Sequence, residues 1–385
     1  MREMKDSGIE WVGAIPQDWQ LSKIGSLYTQ RNEKVSDKDY QPLSVTMQGI
    51  LPQLATAAKT DDGDNRKLVR VGDFAINSRS DRRGSCGISP LDGSVSLINI
   101  ILTPRTAMHP GYYNWLFHTT LFADEFYKWG HGIVADLWTT RWQEMKSITV
   151  PVPEYAEQER IAAFLDAECA EIDAVLEKTR ASIEEYKKLK QAVITQAVTK
   201  GIFDKQIYPH NVKLKYLLYI ASGDAIRNEE LSEVGKYPAY GGGESLGFAS
   251  KYNTLENSLI VGRVGARCGC VTYIDSKAWA TDNALIVHPI CNPRYMYYML
   301  IYSQLNNLNT SNAQPLITAT KIKNVVVPYF LEDICQRKIV DFLDEKCACI
   351  DAIIEKKQQY LTEIENYKKS LIYEYVTGKK EVHPL

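Results

Sequence analysis

The chain has 385 residues, of which 45% are hydrophobic and 24% charged, and its formal net charge at pH 7 is −2. This length allows two or three domains, each with its own core. The balanced charge excludes a protein whose whole surface attracts nucleic acid, so any DNA contact must come from local basic clusters.

Membrane and secretory segments are not expected. No apolar run approaches the roughly 18 residues of a spanning helix, and the first residues lack the apolar core of a signal peptide. The eight cysteines form no C-x-x-C pair of a zinc site, and a chain of this size needs no disulfide staples. We therefore expect reduced thiols in a cytoplasmic protein with no metal site.

Residues 1–150 are predicted to form a globular domain with one arginine-rich turn. In "GDFAINSRSDRRGSCGIS" (72–89), an apolar strand enters a turn of glycine and arginine and leaves through a second strand. Arginines on such a turn can bind phosphates or bridge two acceptors of a guanine. The DNA-contact candidates here are Arg79, Arg82 and Arg83. The alternative is a solvated loop in which Asp81 pairs with one of them.

A threonine-rich stretch, "DLWTTRW" (136–142), lies just before the end of this domain. Threonine can contact a phosphate or a thymine methyl group, and arginine can contact a phosphate or guanine. Thr139, Thr140 and Arg141 are therefore candidates, with ordinary loop residues as the alternative. The β-rich run "KSITVPVP" (146–153) then leads into a helix.

Residues 151–200 are predicted to be one long helix. Pro151 and Pro153 bar helix upstream, and Gly201 follows as a C-terminal stop. The periodicity is that of a coiled coil. The a positions are Leu165, Ile172, Thr179, Tyr186 and Val193, and the d positions are Cys169, Leu176, Ile183, Lys190 and Ala197.

Residues 201–327 are predicted to form a second globular domain, and this segment leans weakly positive with 12 basic and 9 acidic residues. "YPAYGGG" offers Tyr240, Gly241, Gly242 and Gly243 as a tight turn whose N–H groups could meet a phosphate, with a β-hairpin around a packed tyrosine as the alternative. "GRVGARCG" adds Arg263 and Arg267, with a structural turn salt bridge as the alternative.

The second domain ends as the first does. "NAQPLITATK" (312–321) precedes the β-rich "KIKNVVVPY" (321–329). Asn and Gln can read adenine, which makes this stretch a second source of base contacts. Its candidates are Asn312, Gln314, Thr318 and Lys321, of which half could be ordinary loop residues.

Residues 328–385 are predicted to contain a second long helix that repeats the first. At a fixed offset of 178, 17 of the 42 positions from Gln158 to Thr199 are identical, against roughly two or three expected by chance. Here the a positions are Leu343, Ile350, Lys357, Ile364 and Leu371, and the d positions are Cys347, Ile354, Leu361, Lys368 and Tyr375. Thr179 and three lysines, Lys190, Lys357 and Lys368, interrupt the two seams.

The chain thus has the pattern of a globular domain and a long helix, twice. Such pseudo-two-fold symmetry suits a ligand with two halves, and duplex DNA with two half-sites is the obvious one. The two seams most simply pack against each other, and the helices then act as a spacer between two different heads.

Several motifs resemble those of type I restriction–modification specificity subunits. "SGIEWVGAIPQDWQLSKI" (7–24) resembles the family's opening, and "YPAYGGGESLGF" (237–248) and "VGRVGARCG" (261–269) resemble turns of its target recognition domains. "VPVPEYAEQERIAAFLD" (150–166) resembles the entry to its central helix. The second copy of that entry, "VPYFLEDICQRKIVDFLD", has Cys335 where the first has Glu157.

The resemblance implies an α+β fold with two α/β target recognition domains separated by two long antiparallel coiled-coil helices. It implies a non-catalytic subunit that reads a bipartite double-stranded DNA site with an unspecified gap. Two methyltransferase (modification) subunits and restriction/translocase subunits are the expected partners, docked on the helices. S-adenosylmethionine, ATP and Mg are expected in those partners and not in this chain.

Two other function classes are alternatives to DNA recognition: an enzyme, and a scaffold or DNA mimic. "NPRY" (292–295) is similar to an adenine-methyltransferase motif, but Arg294 breaks it, and no glycine-rich nucleotide loop supports an enzyme. "DDGD" (61–64) is more typical of a turn than of a metal site. A scaffold or a DNA mimic is the third class, and the arginine turns argue against mimicry, which needs a dense acidic surface.

Overall fold

The computed structural model describes residues 2–53, 62–132, 138–203, 207–242, 244–309 and 315–382. Contacts divide the chain into two units. Unit 1 comprises residues 1–178 and 360–385, and unit 2 comprises residues 179–359. None of the helices in the described residues combines the length and the apolar character needed to cross a bilayer.

Two long helices dominate a set of otherwise short ones, and the unit division crosses both. The helices are α1 (Ile24–Leu27), α2 (Pro110–Phe117), α3 (Thr120–Lys128), α4 (Trp142–Met145), α5 (Tyr155–Lys200), α6 (Pro293–Tyr302), α7 (Ala319–Lys323) and α8 (Asp333–Val376).

The predicted boundaries of the long helices are close to the observed ones. The residues just before them, predicted as helical at 151–154 and 328–332, instead supply the end of a strand and a short connection. Gly201 and Gly378 follow the helices with φ of +72° and +71°, the left-handed conformation that glycine adopts without strain.

Unit 1 is built on small antiparallel sheets. Its strands are β1 (Met4–Asp6), β2 (Ala14–Pro16), β3 (Gln20–Lys23), β4 (Tyr28–Arg31), β5 (Lys34–Val35), β6 (Leu43–Thr46), β7 (Gly49–Pro52), β8 (Arg66–Val69), β9 (Phe74–Asn77), β10 (Cys86–Ile88), β11 (Gly93–Val95), β12 (Asn99–Pro104) and β13 (Thr149–Val152). The largest sheet has the order β10-β9-β12-β4, beside a three-stranded sheet β11-β8-β5. Strand β13 pairs with β3, and β6 with β7.

The core of unit 1 is rich in aromatic rings. Phe74 and Phe117 lie 4.6 Å apart between ring centroids, and Phe117 lies the same distance from Phe122. These three rings are almost fully buried and join the central sheet to α2 and α3. Burial of such large side chains provides most of the stabilisation available to a unit of this size.

Unit 2 repeats the arrangement with fewer strands. They are β14 (His210–Lys213), β15 (Leu218–Ser222), β16 (Leu231–Ser232), β17 (Tyr237–Gly241), β18 (Glu244–Ala249), β19 (Ser258–Gly262), β20 (Val271–Ile274), β21 (Trp279–Ala280), β22 (Ala284–Pro289) and β23 (Val326–Tyr329). The sheet β15-β22-β19-β20 corresponds to the largest sheet of unit 1, and β14 pairs with β23 as β3 does with β13. Unit 2 also contains a second four-stranded sheet, β16-β18-β17-β21.

Within each unit the two long helices run antiparallel. In unit 1, Phe164 packs on Tyr375 with ring centroids 4.4 Å apart, and Asp173 accepts from Lys368 Nζ at 2.6 Å. Going from Phe164 to Asp173 along α5, the contacted residue of α8 changes from Tyr375 to Lys368, so the two helices run in opposite directions.

The same order holds in unit 2. Lys357 Nζ lies 5.7 Å from the centroid of the Tyr186 ring, and Lys190 Nζ donates to Asp351 at 2.6 Å. The expected fold class, α+β with an internal repeat and two long antiparallel helices, is confirmed.

The predicted heptad seams are the buried faces of both helices. All twenty a and d positions are buried or half-buried. Two of the interrupting lysines have a specific explanation, since Lys368 pairs with Asp173 and Lys190 with Asp351. At the offset of 178 these two ion pairs are copies of each other.

Conserved positions of the repeat attach each helix to its own globular part. Gln158 is 3% exposed and donates to the Pro153 carbonyl, and Gln336 is 2% exposed and donates to that of Phe330. Asp166 accepts from the indole of Trp115 at 2.8 Å, while its copy Asp344 accepts from Arg294 Nε at 2.9 Å. In both copies, therefore, these repeated side chains hold the head to its helix.

Candidate nucleic-acid interface

The arginine turn of unit 1 joins two paired strands. Strand β9 leads into a 3₁₀ turn at Ser80–Arg82, and the chain returns through β10. The buried hydroxyl of Tyr127 donates to the carbonyls of Asn77 at 2.9 Å and Arg82 at 3.3 Å. Burial raises the pKa of Tyr127, which keeps the hydroxyl protonated as a donor. The turn is thus held at both ends by one side chain.

The threonine-rich stretch docks on this turn. Ser80 N–H donates to the Trp138 carbonyl at 2.9 Å, and Thr140 N–H donates to the Ser78 carbonyl at 3.0 Å. The Thr140 side chain is fully buried, and its hydroxyl donates to the Phe126 carbonyl at 2.9 Å. Thr140 therefore fixes the loop, whereas Thr139 is half-buried and Arg141 is exposed.

The three candidate arginines of unit 1 lie beside carboxylates. Asp81 lies 3.1 Å from Arg79 Nε and 3.8 Å from Arg82 Nε, and Arg83 pairs with Asp124. Arg82 keeps 69% of its side chain exposed. Exposed ion pairs of this kind hold their partners weakly, so the guanidinium groups can exchange a carboxylate for another anion.

Unit 2 also has an arginine turn between two paired strands. Strands β19 and β20 pair through a 3₁₀ turn at Gly265–Arg267. Gly265 N–H donates to the Pro315 carbonyl at 3.3 Å, and Ile317 N–H donates to the Arg263 carbonyl at 2.9 Å. In both units, then, the predicted turn and the predicted pre-helix stretch form one surface through equivalent backbone hydrogen bonds.

The glycine-rich candidate of unit 2 joins this surface. Tyr240 and Gly241 end β17 and pair with β18, and Arg267 forms an ion pair with Glu244 of β18. A Cβ at Gly262 would lie 2.4 Å from the Gly242 carbonyl oxygen, so the hairpin sits directly on β19. Tyr240 packs against a cluster of alanine and isoleucine side chains, and this burial raises the pKa of Tyr240. The element is thus a hairpin around a packed tyrosine, the alternative stated for it.

The remaining candidates of unit 2 have mixed placements. Thr318 caps α7 by accepting from Lys321 N–H at 3.4 Å, and Lys321 Nζ donates to the Leu308 carbonyl at 3.2 Å. Arg263 is half-buried, and no carboxylate pairs with it within the ranges that the structure describes. Gly243, Asn312 and Gln314 lie outside those ranges.

The sequence interpretation missed a cleft in unit 1 beside the arginine turn. The cleft has a volume of about 610 Å³. Its polar lining is formed by Ser44, Thr46, Gln53, Arg66, Asn77, Asp81, Arg82, Arg83, Ser85, Ser96 and Asn99. The Arg66 guanidinium is buried against Ser94, and this burial lowers the pKa of Arg66. The one sequence signal was a lone asparagine in the apolar strand "SLINIIL".

It also missed a group of lysines over aromatic rings in unit 2. Lys277 Nζ lies 4.5 Å from the ring centroid of Tyr252, whose ring stacks near Tyr237 at 5.0 Å. Lys251 Nζ lies 4.9 Å from the Trp279 ring. Cations interleaved with aromatic rings suit a nucleic-acid backbone, but these residues are scattered in sequence and gave no pattern.

The "NPRY" motif has a structural role. The Asn292 side chain accepts from the N–H groups of Arg294 and Tyr295 and so caps α6. Arg294 stacks on Tyr273 and pairs with Asp344. The Asn292 oxygen thus caps the helix, and Arg294 joins it to Tyr273 and Asp344.

Comparison with known proteins finds similarity to one family. Residues 210–365 match the model of the type I restriction modification DNA specificity domain. The MjaVIII specificity subunit of Methanocaldococcus jannaschii is 22% identical over 96% of this chain and 95% of its own length. The chain is thus similar in sequence to type I restriction–modification specificity subunits. The family description, a DNA specificity domain, agrees with the expected non-catalytic role.

Two further proteins are similar to this chain, one over part of its sequence and one over its whole fold. The EcoprrI specificity subunit of Escherichia coli is 28% identical over 137 residues, which is about a third (34%) of both chains. A solved chain from a type I R-M system, studied for complex assembly and conformational transition, has a TM-score of 0.72 and 15% identity, and covers 95% of this chain and 99% of that one. This structural similarity supports the fold of the whole chain.

Proposed function

We propose that this specificity subunit reads a bipartite double-stranded DNA site, one half with each unit. The support is that unit 1 and unit 2 build the same surface from a strand, an arginine turn and a docked pre-helix stretch. The family model itself covers only the second copy. The equivalence of the two surfaces is what extends the reading role to the first.

The arginines supply the phosphate and base contacts in this proposal. In the free protein Asp81, Asp124 and Glu244 neutralise the arginines of the two turns. DNA phosphates take the place of these carboxylates, and counterions released from DNA drive the exchange. Because the net charge is −2, the chain alone binds DNA weakly.

The globular domains at 1–150 and 201–327 act as the two heads, and the helical segments at 151–200 and 328–385 space them. Methyltransferase subunits and restriction/translocase subunits are the proposed partners, and they supply S-adenosylmethionine, ATP and Mg. The repeated Gln158, Gln336, Leu165 and Leu343 are buried within their own units. A partner therefore docks on the exposed faces of the helices rather than on these repeated side chains.

Methylation mapping of DNA modified by the assembled complex tests this function. The expected result is one motif with two fixed halves and a gap of constant length. Exchange of residues 1–150 for the corresponding head of a relative should change one half and leave the other unchanged. A complex that modifies DNA without a defined motif, or an exchange that alters both halves, would contradict the proposal.

The arginine surfaces have a finer test. Arg82→Glu should weaken binding and reduce the salt dependence of binding by about one unit of slope if the arginine contacts phosphate. Lys178→Glu is a matched control, because Lys178 is exposed on α5 and belongs to no turn. Equal salt slopes for the two variants would remove Arg82 from the interface.

A further inference from the structure

One buried acceptor in the cleft of unit 1 has no partner among the residues that the structure describes. Asn99 is 4% exposed, and its Nδ2 donates to the Ser96 carbonyl at 3.0 Å. That bond fixes the orientation of the amide, so Oδ1 is the oxygen that could accept. Within the described part of the chain Asn99 Oδ1 has no hydrogen-bond partner, although the residue lines the cleft.

A buried acceptor without a hydrogen-bond partner lowers the stability of the folded protein. Folded proteins satisfy most buried polar atoms, because an unpaired one loses its water without a replacement. The strand around Asn99 is otherwise apolar, with Ile100, Ile101 and Leu102 all buried. The apolar neighbours explain neither the amide at this position nor its unpaired oxygen.

In unit 2 the β17–β18 hairpin fills the position that corresponds to the cleft of unit 1. In unit 1, Asn99 is the register partner of Asn77 across β12 and β9. In unit 2, the corresponding partners on β22 and β19 are Ala284 and Gly262, and the Gly242 carbonyl packs where a side chain at position 262 would lie. The two asparagines and the open cleft thus distinguish one unit from the other.

We propose that Asn99 Oδ1 reads the exocyclic amino group of an adenine or a cytosine in the half-site of unit 1. Adenine N6 and cytosine N4 are donors, while guanine O6 and thymine O4 are acceptors that would oppose Oδ1. One N–H of Nδ2 is used by the Ser96 carbonyl, and the contact made through Oδ1 distinguishes amino from keto bases. Arg82 and Arg83 line the same cleft, where they can hold the adjoining phosphates.

This inference rests on the proposed function and deepens it for one unit. The test uses the assembled complex and its own mapped site. At each adenine or cytosine of the first half-site in turn, an analogue that lacks the amino group replaces the base: purine for adenine, or pyrimidin-2-one for cytosine. At one position the wild-type complex should bind about tenfold to a hundredfold more weakly.

The variant Asn99→Leu identifies the residue. It should bind the natural site as weakly as the wild type binds the analogue, and should lose nothing more with the analogue. Asn32→Leu is the control, because it makes the same substitution at an exposed position of unit 1 outside the cleft and should respond as the wild type does. Asn99→Leu also removes the bond to the Ser96 carbonyl. A merely structural role of Asn99 therefore predicts that the variant loses the full factor again when the analogue replaces the base.

The outcomes separate the two proposals. If wild-type binding ignores the amino group at every adenine and cytosine of the first half-site, the role of Asn99 is overturned even if the variant fails to fold. The same holds if Asn99→Leu keeps full discrimination. If the wild-type complex has no defined site, the proposed function has failed instead.

Discussion

Unit 1 and unit 2 share a framework but differ in what covers their central sheets. Both present an arginine turn docked against a pre-helix stretch. In unit 1 a cleft remains beside that turn, lined by Asn77 and Asn99. In unit 2 the β17–β18 hairpin closes the equivalent place over Gly262. The difference shows that the same strand pairing builds the central sheet of both units. A few side chains on β9 and β12 in unit 1, or on β19 and β22 in unit 2, then decide whether a cleft is open beside the arginine turn.

The largest expected effect comes from the shared framework. Leu165 in unit 1 and its copy Leu343 in unit 2 are both fully buried. Leu165→Ala and Leu343→Ala should each lower the free energy of unfolding by about 2–5 kcal/mol, because each leaves a cavity. Denaturant unfolding measures the effect.

The repeat also provides the controls for this pair. Lys178→Ala and Lys356→Ala alter exposed copies on the same helices and should change the free energy of unfolding by less than about 0.5 kcal/mol. If either leucine variant resembled its lysine control, the two helix seams would not be equivalent.

The next effect should differ between the units. Gly262→Ala places a Cβ 2.2 Å from the Arg267 carbonyl oxygen and 2.4 Å from that of Gly242. We expect a loss of about 1–3 kcal/mol from overpacking, together with faster hydrogen exchange in the β17–β18 hairpin.

The pseudo-equivalent change in unit 1 is Asn77→Ala. It shortens a side chain that lines the open cleft and leaves the backbone bonds of β9 in place. Its cost should be smaller than that of Gly262→Ala. Equal costs would show that the cleft is as tightly filled as the hairpin contact.

Much of the fold could be predicted from the sequence, because the relevant signals are local. Heptad spacing follows from the helical period, and the seam from Leu165 to Ala197 is buried or half-buried as predicted. The arginine turns were recognised from glycines between apolar strands.

The cleft could not be predicted, because it depends on long-range pairing. Asn77 and Asn99 face each other only through the register of β9 and β12. Likewise, Lys190 and Lys368 look like faults in a seam until the opposite helix brings Asp351 and Asp173 to them. The carboxylates occupy exposed positions on their own helices and carry no sign of this role.

A smaller effect concerns the turn of unit 1 alone. Tyr127→Phe removes the hydroxyl that donates to the Asn77 and Arg82 carbonyls. We expect a loss of about 0.5–1.5 kcal/mol and weaker reading of the first half-site, with the second unchanged. Competition binding with DNA altered in one half at a time measures this. Tyr186→Phe, on α5 in unit 2, is the control, and weakened reading of both halves would contradict a local role.

The smallest effect tests the two copied ion pairs. The lysines are 25% and 22% exposed and the aspartates more than half, so each pair should contribute only about 0.2–1 kcal/mol, less at high salt. In a double-mutant cycle, Asp173→Lys and Lys368→Asp should each destabilise the protein, and the combined swap should restore much of the loss. Asp351→Lys and Lys190→Asp should give the same pattern in unit 2. A lysine at a seam position replaces an apolar side chain whose burial would stabilise the helix pair. We therefore infer that these weak ion pairs set the antiparallel register rather than add stability. A swap that rescues one unit and not the other would show that only one pair sets the register of these helices.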